Sequence, residues 1–404
     1  MTNTLTIGER VKWYRLRRGM PQEVLADRVG RTVDWLSKIE NNKIDLDRLS
    51  VIRALADALD VHLGDLLNEP SLVEWTTDSG QQTVPALRSA LMNYRQLTPV
   101  LNGALDVEPP DLRQLRQDVA GVWDAYQHSK FGFVTNRLPI LLTDLHVAVQ
   151  QYDGQQHQAA QGLLGLTYQA AASTLTKVGE TDLAWIASDR GLQAAQECED
   201  PVVLGSVLRS ISHSLLSNGE YQQAIETTDK AARLLKTRLD RVSPDHLSVY
   251  GTLLFVGAMA AARAEDRRMT KAFLDGADRA AQRLGQDANY MWTAFGPTNV
   301  AIHRVSTAME LGNVKTALDL GAQIDTSGLP TERRVRHALE VARGYSNRAK
   351  TDEALGTLLD AEQLAPEQVK YHFLSRQLVL TWIRRQRTKP SFELANLAKR
   401  LKVT

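Results

Sequence analysis

Apolar residues at the start of the chain recur every three or four positions in short blocks with sharp breaks, so residues 5–69 read as five short helices. Pro70–Gln82 loses this period and reads as a connector. Thr83–Leu97 regains it as one bridging helix, and Thr98–Pro110 forms a second loop ending in Pro109 and Pro110, where helix is disfavoured. From Asp111 onward, long helical patterns alternate with short polar breaks. The breaks fall near Lys130, Asp153, Gly179, Glu199, Asn218, Ser243, Glu265, Gly285, Gly312, Gly328–Pro330, Ala349–Asp352, Ala365 and Lys389. No segment shows the strict alternation of a half-buried strand. The pattern predicts an all-α chain in three parts: 1–69, a linker with a bridging helix at 70–110, and a helical array over 111–404.

The array carries a weak internal repeat. A small residue at a break is followed five positions later by Ala, as in Gly179 and Ala184, Gly219 and Ala224, Gly312 and Ala317, and Ala349 and Ala354. Two of these units keep a further Ala at Ala231 and Ala361. Small residues there let two antiparallel helices approach closely. Leu215–Leu235 is the clearest unit and matches the tetratricopeptide pattern of turn Gly, Tyr and spaced alanines. Stacked helix pairs of this kind form a superhelix with a concave face.

Composition agrees. The 404 residues are 43% hydrophobic and 24% charged, as in ordinary soluble proteins, and 25 Gly and 13 Pro are few for an all-β chain. The formal net charge of +1 gives no global field directed at nucleic acid or membrane. Locally the balance is uneven. Residues 9–43 hold nine Lys/Arg against five Asp/Glu, whereas residues 45–69 hold two against six. Cys198 is the one cysteine, which excludes a disulfide within the chain and a Cys-based metal site. The N-terminus lacks an apolar signal core, and the longest apolar run, Leu253–Ala262, is too short to span a bilayer. A cytoplasmic location with no membrane partner is therefore expected.

Pro21–Asn42 is the most specific motif. Leu25, Ala26 and Val29 give one helical face, Gly30 ends that helix, and Leu36 and Ile39 give the face of a second. Ala26 is small where the helices cross, so the segment reads as a helix-turn-helix with the second helix as reader. On Gln22, Glu23, Leu25, Ala26, Gly30, Trp35–Glu40 and Asn41, the segment resembles the Cro/repressor-type (XRE) helix-turn-helix family. The likeness continues through Leu46–Leu59 and Val61–Leu67 and implies a five-helix, lambda-repressor-like DNA-binding domain. Pro21 departs from the family's capping Ser or Thr but suits a first helical turn. Asn42 replaces a usual Gly and tolerates left-handed geometry.

Roles follow from the motif and the resemblance. Gln22 is expected on a phosphate, setting register. Thr32, Val33, Asp34 and Lys38 are expected to face the major groove, where Val33 meets a thymine methyl, Asp34 a cytosine amino group and Lys38 a guanine. Ser37, Asn41, Asn42 and Lys43 are placed for backbone phosphates. Trp35 either wedges against sugar and phosphate or packs under the helix. Arg10, Lys12, Arg15, Arg17 and Arg18 form a basic run whose members belong either to the DNA face or to an ordinary solvated helix face. One such domain makes few contacts, so a homodimer on a palindromic operator in double-stranded DNA is expected.

The order of parts resembles helix-turn-helix plus tetratricopeptide regulators of Gram-positive bacteria, some of which sense secreted peptides. Asp182–Gly191, Trp292–Val305 and Leu329–Tyr345 also resemble a group of actinobacterial regulators, without implying a ligand. Within Trp292–Val305, Pro297 sits in a helical pattern and is expected to kink a helix and free the carbonyl of Thr293. Asn299 and His303 then share a face with Trp292, giving a candidate ligand site of Trp292, Asn299, His303 and Arg304. Arg209, His213 and Tyr250 are further candidates for the same concave face, and the basic run Arg333, Arg334, Arg336 and His337 is placed to meet a ligand carboxylate or a phosphate. Alternatively, these residues are packing and solvated surface.

No phosphate loop, nucleophile elbow, zinc-protease motif or dinucleotide fingerprint occurs, so the chain reads as a non-enzyme without cofactor or metal. The leading expectation is a sequence-specific transcriptional regulator whose array dimerises and binds a peptide or small molecule. A scaffold whose repeats bind a partner protein is the second reading, and a constitutive repressor without ligand the third.

Overall fold

The computed structural model describes residues 5–61, 63–67, 83–92, 108–177, 180–236, 242–386 and 389–403. Five short helices form a head: α1 (Ile7–Arg17), α2 (Gln22–Arg28), α3 (Val33–Glu40), α4 (Leu49–Ala58) and α5 (Leu63–Leu67). After α6 (Thr83–Leu91) the array comprises α7 (Leu112–Gln127), α8 (Phe131–Gln151), α9 (Gly154–Lys177), α10 (Thr181–Glu197), α11 (Pro201–Ser217), α12 (Tyr221–Lys236), α13 (Pro244–Arg263) and α14 (Arg267–Leu284). It continues with α15 (Pro297–Glu310), α16 (Val314–Gly321), α17 (Thr331–Asn347), α18 (Thr351–Leu364), α19 (Pro366–Tyr371), α20 (Phe373–Arg385) and α21 (Phe392–Arg400). The connector predicted over 70–82 and residues 98–107 of the loop predicted over Thr98–Pro110 lie outside the described residues, as do Gly179 and the last part of the bridging helix. Among the described residues, the one trace of strand pairing is an isolated bridge between Ala288 and Phe295.

Local chemistry sets the helix boundaries. Asp200, Ser243 and Asp266 each precede a helix and accept a hydrogen bond from a main-chain N–H of its first turn. Pro201 and Pro244 follow at the first helical position, where a missing N–H costs nothing. Among the described residues, the predicted breaks fall between these helices or at the first turn of the next one. The repeat alanines lie where helices meet: Ala184, Ala224, Ala231, Ala317, Ala354 and Ala361 are all buried. The result is a series of antiparallel helix pairs, tetratricopeptide-like in character. Its centre is α13, buried along nearly its whole length between α11, α12, α14 and α15. This accounts for the long apolar run without a membrane, and among the described residues no helix is long and apolar enough to cross one.

One expectation fails. Pro297 does not kink a helix; it starts α15. The preceding residues form a short 3-10 turn, Tyr290–Trp292, and cross the left-handed region at Met291, Trp292 and Ala294. Side chains from further back hold this turn. Asp287 accepts hydrogen bonds from the N–H and hydroxyl of Thr298 at 3.0 and 2.6 Å, and Asn289 Oδ1 accepts from Ala294 N at 3.1 Å. The carbonyl of Thr293 therefore never belonged to a helix that Pro297 could interrupt.

The head packs onto the array through a dense set of polar contacts. Asp47 receives Arg343 Nε at 2.8 Å and Asn347 Nδ2 at 2.7 Å. Arg385 donates to the carbonyl of Asn42 at 2.8 Å and pairs with Asp45 at 3.1 Å. Arg384 pairs with Glu9 at 3.0 Å, and Arg48 with Glu265 at 2.7 Å. Arg53 donates to the carbonyl of Asn218, and Phe373 packs against the apolar core of the head. Asp45 and Asp47 of the acidic half and Glu9 of the basic half thus meet arginines of the array.

Candidate functional site

The helix-turn-helix is built on a buried charge pair. Arg15 of α1 holds Glu40 of α3 through two hydrogen bonds, 2.5 and 2.8 Å long, and Gln22 of α2 donates to the same carboxylate at 2.7 Å. This three-way contact fixes α1, α2 and the C-terminal end of α3 relative to one another. Gly8 lets α1 approach α3, since a Cβ there would lie 2.2 Å from the carbonyl oxygen of Ile39. Leu25, Ala26, Leu36 and Ile39 are buried beneath.

The opposite face of α3 is open. Val33, Asp34, Lys38 and Asn41 are exposed in the complete chain, Ser37 is half-buried, and Lys43 is exposed just beyond. Thr32 caps α3, accepting a hydrogen bond from Trp35 N at 3.2 Å. Asp34 and Lys38 pair with each other at 2.6 Å, so the two groups expected to read bases start as a neutral couple. Trp35 is half-buried against the head core with the Arg31 guanidinium 5.7 Å from its ring. Asn41 donates to the carbonyl of Ser37 at 2.7 Å.

Several expected positions are committed elsewhere. Asn42 is buried with φ of +57°; it accepts from Thr6 Oγ1 at 2.6 Å and donates to Glu9 at 3.2 Å. It therefore pins the turn after α3 instead of facing a phosphate. Gln22 spends one amide N–H on Glu40 and keeps the other. Of the basic run, Arg10 is buried on the carbonyls of Leu66 and Leu5, Arg15 on Glu40, and Arg18 bonds Asp60 at 3.2 Å.

A second site lies between head and array. A cavity of about 250 Å³ is lined by Leu49, Leu63 and Leu67 of the head and by residues of α7, α9, α11, α13, α15, α17 and α20. It gathers Arg209, His213, Trp292 and His303 from the predicted set, and Arg333 and Arg336 from the basic run. Asn299 is fully buried outside it, donating to the carbonyl of Ala294 at 2.9 Å. Arg304 is exposed and pairs with Asp278 at 3.3 Å, and Tyr250 packs at the edge of the central core. Neither residue lines the cavity.

Sequence reading missed Trp123, Tyr126, Lys177, Phe255, Glu332 and His372, which complete its walls. Trp123 stacks on Trp292 with ring centroids 5.8 Å apart, and Phe255 on His303 at 3.9 Å. Glu332 receives Lys177, and Arg333 stands 3.9 Å from its other oxygen. Burial favours the protonated acid, but Lys177 and Arg333 outweigh it and hold Glu332 well below the usual carboxylate range. Burial pushes the His303 imidazole down to about 3, with Arg333 adding to the effect. His213 and His372 are lowered for the same reasons, burial first and neighbouring cations second. His213 shows surface, but protein encloses it, because that surface faces the cavity. All three rings are neutral at neutral pH. The one legible signal was polar residues four apart on apolar helices, as in Arg209 and His213. Among the described residues, no group of three or more His, Cys, Asp or Glu could hold a metal ion.

No curated protein is similar to this chain. Among solved structures it is similar to PlcR of Bacillus thuringiensis, in complex with the peptide PapR7 and DNA, at 13% identity over 89% of this chain and 98% of that one, with a TM-score of 0.38. It is also similar to BtubC (BKLC) from P. vanneervenii, at 13% identity over 62% of this chain and 90% of that one, TM-score 0.35. The apo form of the competence regulator ComR from Streptococcus vestibularis aligns at 15% identity over 83% of this chain and 97% of that one, TM-score 0.31. Residues 6–69 match the family described as "Helix-turn-helix domain", and that part of the chain is a helix-turn-helix domain.

Proposed function

We propose that the chain is a sequence-specific DNA-binding transcriptional regulator, acting as a homodimer on a palindromic operator, with a peptide or small molecule in the helical array as its effector. The observation that carries this reading is the open face of α3. Val33, Asp34 and Lys38 stay exposed while the head is docked, and the Arg15–Glu40 pair holds α3 rigidly behind them. A reading helix needs such a fixed base and a free polar face. The array supports the regulatory half, since the head itself forms part of the cavity wall through Leu49, Leu63 and Leu67. An effector that fits one placement of the head better than another shifts the population of DNA-competent chains.

The test is selection of genomic DNA fragments by the purified full chain, beside a variant carrying Asp34→Ala and Lys38→Ala. The reading expects a palindromic site with half-sites about one helical turn apart, bound by two chains and lost or altered in the variant. Random recovery, identical for both proteins, would refute it.

A further inference from the structure

The charges around the cavity are unevenly matched. At one end, Arg343 answers Glu310 and Glu340. At the other, Lys177, Arg209, Arg333 and Arg336 share the wall with a single carboxylate, Glu332. Lys177 and Arg333 both lean on that carboxylate, and Arg336 turns instead to His372 Nε2 at 3.1 Å. Arg209 makes no hydrogen bond or salt bridge with the described residues, and its Nε is buried without a partner. Burial lowers the Arg209 pKa to about 10, which still leaves it charged at neutral pH. Four cations against one anion in a partly buried site repel one another, and the arrangement lacks a full counter-charge.

Beside this charged end lies a flat apolar one. The stacked pair Phe255 and His303 and the stacked pair Trp123 and Trp292 form two aromatic walls. His303 Nδ1 is engaged with the carbonyl of Asn299 at 2.9 Å, so in the neutral ring Nε2 remains an acceptor. Size narrows the class further. An apolar cavity of about 150 Å³ takes a benzene ring. The 250 Å³ here suits one ring with an acidic group.

We propose that this cavity binds a small aromatic acid, its carboxylate or phosphate held by Arg209, Arg333 and Arg336 and its ring lying between the aromatic walls. The proposal rests on the reading of the array as an effector domain and names the effector's chemical class. Leu49, Leu63 and Leu67 line the same cavity, so an acid bound there shares its site with the DNA-binding head.

The test is titration of the full chain, followed by tryptophan fluorescence and by thermal unfolding. The probes are salicylate as an aromatic carboxylate, phenyl phosphate as an aromatic phosphate, inorganic phosphate as an anion without a ring, and benzamide as a ring without charge. At least one aromatic acid is expected to quench Trp123 and Trp292 saturably and to raise the unfolding temperature. Benzamide and inorganic phosphate should each bind at least tenfold more weakly. Stronger binding by salicylate identifies a carboxylate ligand, and by phenyl phosphate a phosphate ligand. Arg209→Gln should weaken the better acid at least tenfold while leaving the ligand-free unfolding temperature unchanged or higher, because it removes an unpaired buried cation. Arg336→Gln provides a second, independent loss. The proposal is overturned if neither acid binds saturably, if benzamide binds as tightly as the acids, or if both variants bind like the wild type. The benzamide comparison uses the wild-type chain alone, so it stands even if a variant misfolds. None of these readouts involves DNA, so failure here leaves the operator selection untouched, and failure of that selection leaves this test intact.

Discussion

Replacing Arg343 by Met isolates the strongest joint between head and array. The guanidinium is 2% exposed and contacts three carboxylates: Asp47 of the head at 2.8 Å, Glu310 at 3.2 Å and Glu340 at 3.1 Å. Burial acts against its charge, but Asp47, Glu310 and Glu340 outweigh burial and raise its pKa well above the ordinary value. Met fills much of the same volume but leaves three buried acids with no cation among them. Removing one partner of a buried ion pair costs about 3–5 kcal/mol. Asp47→Asn is the milder cut. Arg343 keeps Glu310 and Glu340, and the amide oxygen still accepts a hydrogen bond from Arg343 or Asn347. The loss is that of one charge-assisted hydrogen bond, about 1.5–3 kcal/mol.

The two variants should also differ in where they act. Arg343→Met should lower the urea midpoint of the array as a whole, because α15 and α17 lose their common counter-ion. Asp47→Asn should leave that midpoint nearly unchanged and instead speed amide hydrogen exchange in residues 41–48, where Asp45, Asp47 and the carbonyl of Asn42 are clamped. If Asp47→Asn proves as costly to the array as Arg343→Met, or if Arg343→Met unfolds at the wild-type midpoint, the cluster is not the joint described here.

Acid should destabilise the chain below pH 6.5. His303 titrates near 3 in the folded protein and near 6.5 when unfolded, so the unfolded state binds more protons between these values and stability falls as pH drops. At pH 5 this one ring contributes a loss of roughly 2 kcal/mol, and His213 and His372 add in the same direction. Thermal unfolding at pH 7.5 and 5.0 checks it, and His303→Gln should shrink the difference; an unchanged difference would mean that the ring is protonated in the native state. Gly8→Ala places a methyl 2.2 Å from the Ile39 carbonyl, so α1 and α3 must part; a loss of about 1–3 kcal/mol in head stability, with weaker DNA binding, is expected from denaturation and gel-shift measurements. Ala349 is exposed with φ of +57° at the turn between α17 and α18, and Ala349→Gly should raise stability by about 1 kcal/mol in urea titration, since glycine relieves the left-handed strain.

The contrast between what the residues announced and what they concealed follows from range. Helix ends depend on a cap, a proline or a small residue within a few positions, and those were readable: Asp200, Ser243, Asp266 and the alanines after each turn stand where the period placed them. Pro297 was misread because a proline opening a helix and one interrupting it look alike locally; the deciding contact, Asp287 to Thr298, spans eleven positions and a turn. The helix-turn-helix was legible because its core pattern is short. Its tether was not, since Asn42 and Arg385 lie 343 positions apart. The cavity shows the same limit more strongly. Arg209 read as a concave-face candidate and Arg333 and Arg336 as part of a separate basic run, and only superhelical stacking turns them onto one wall. That stacking brings them opposite a head already held by Asp45 and Asp47. Charge therefore does two jobs at one interface. Matched pairs fix the head in place, whereas the unmatched cluster at the other end of the cavity is where the proposed acid would bind and bear on the head.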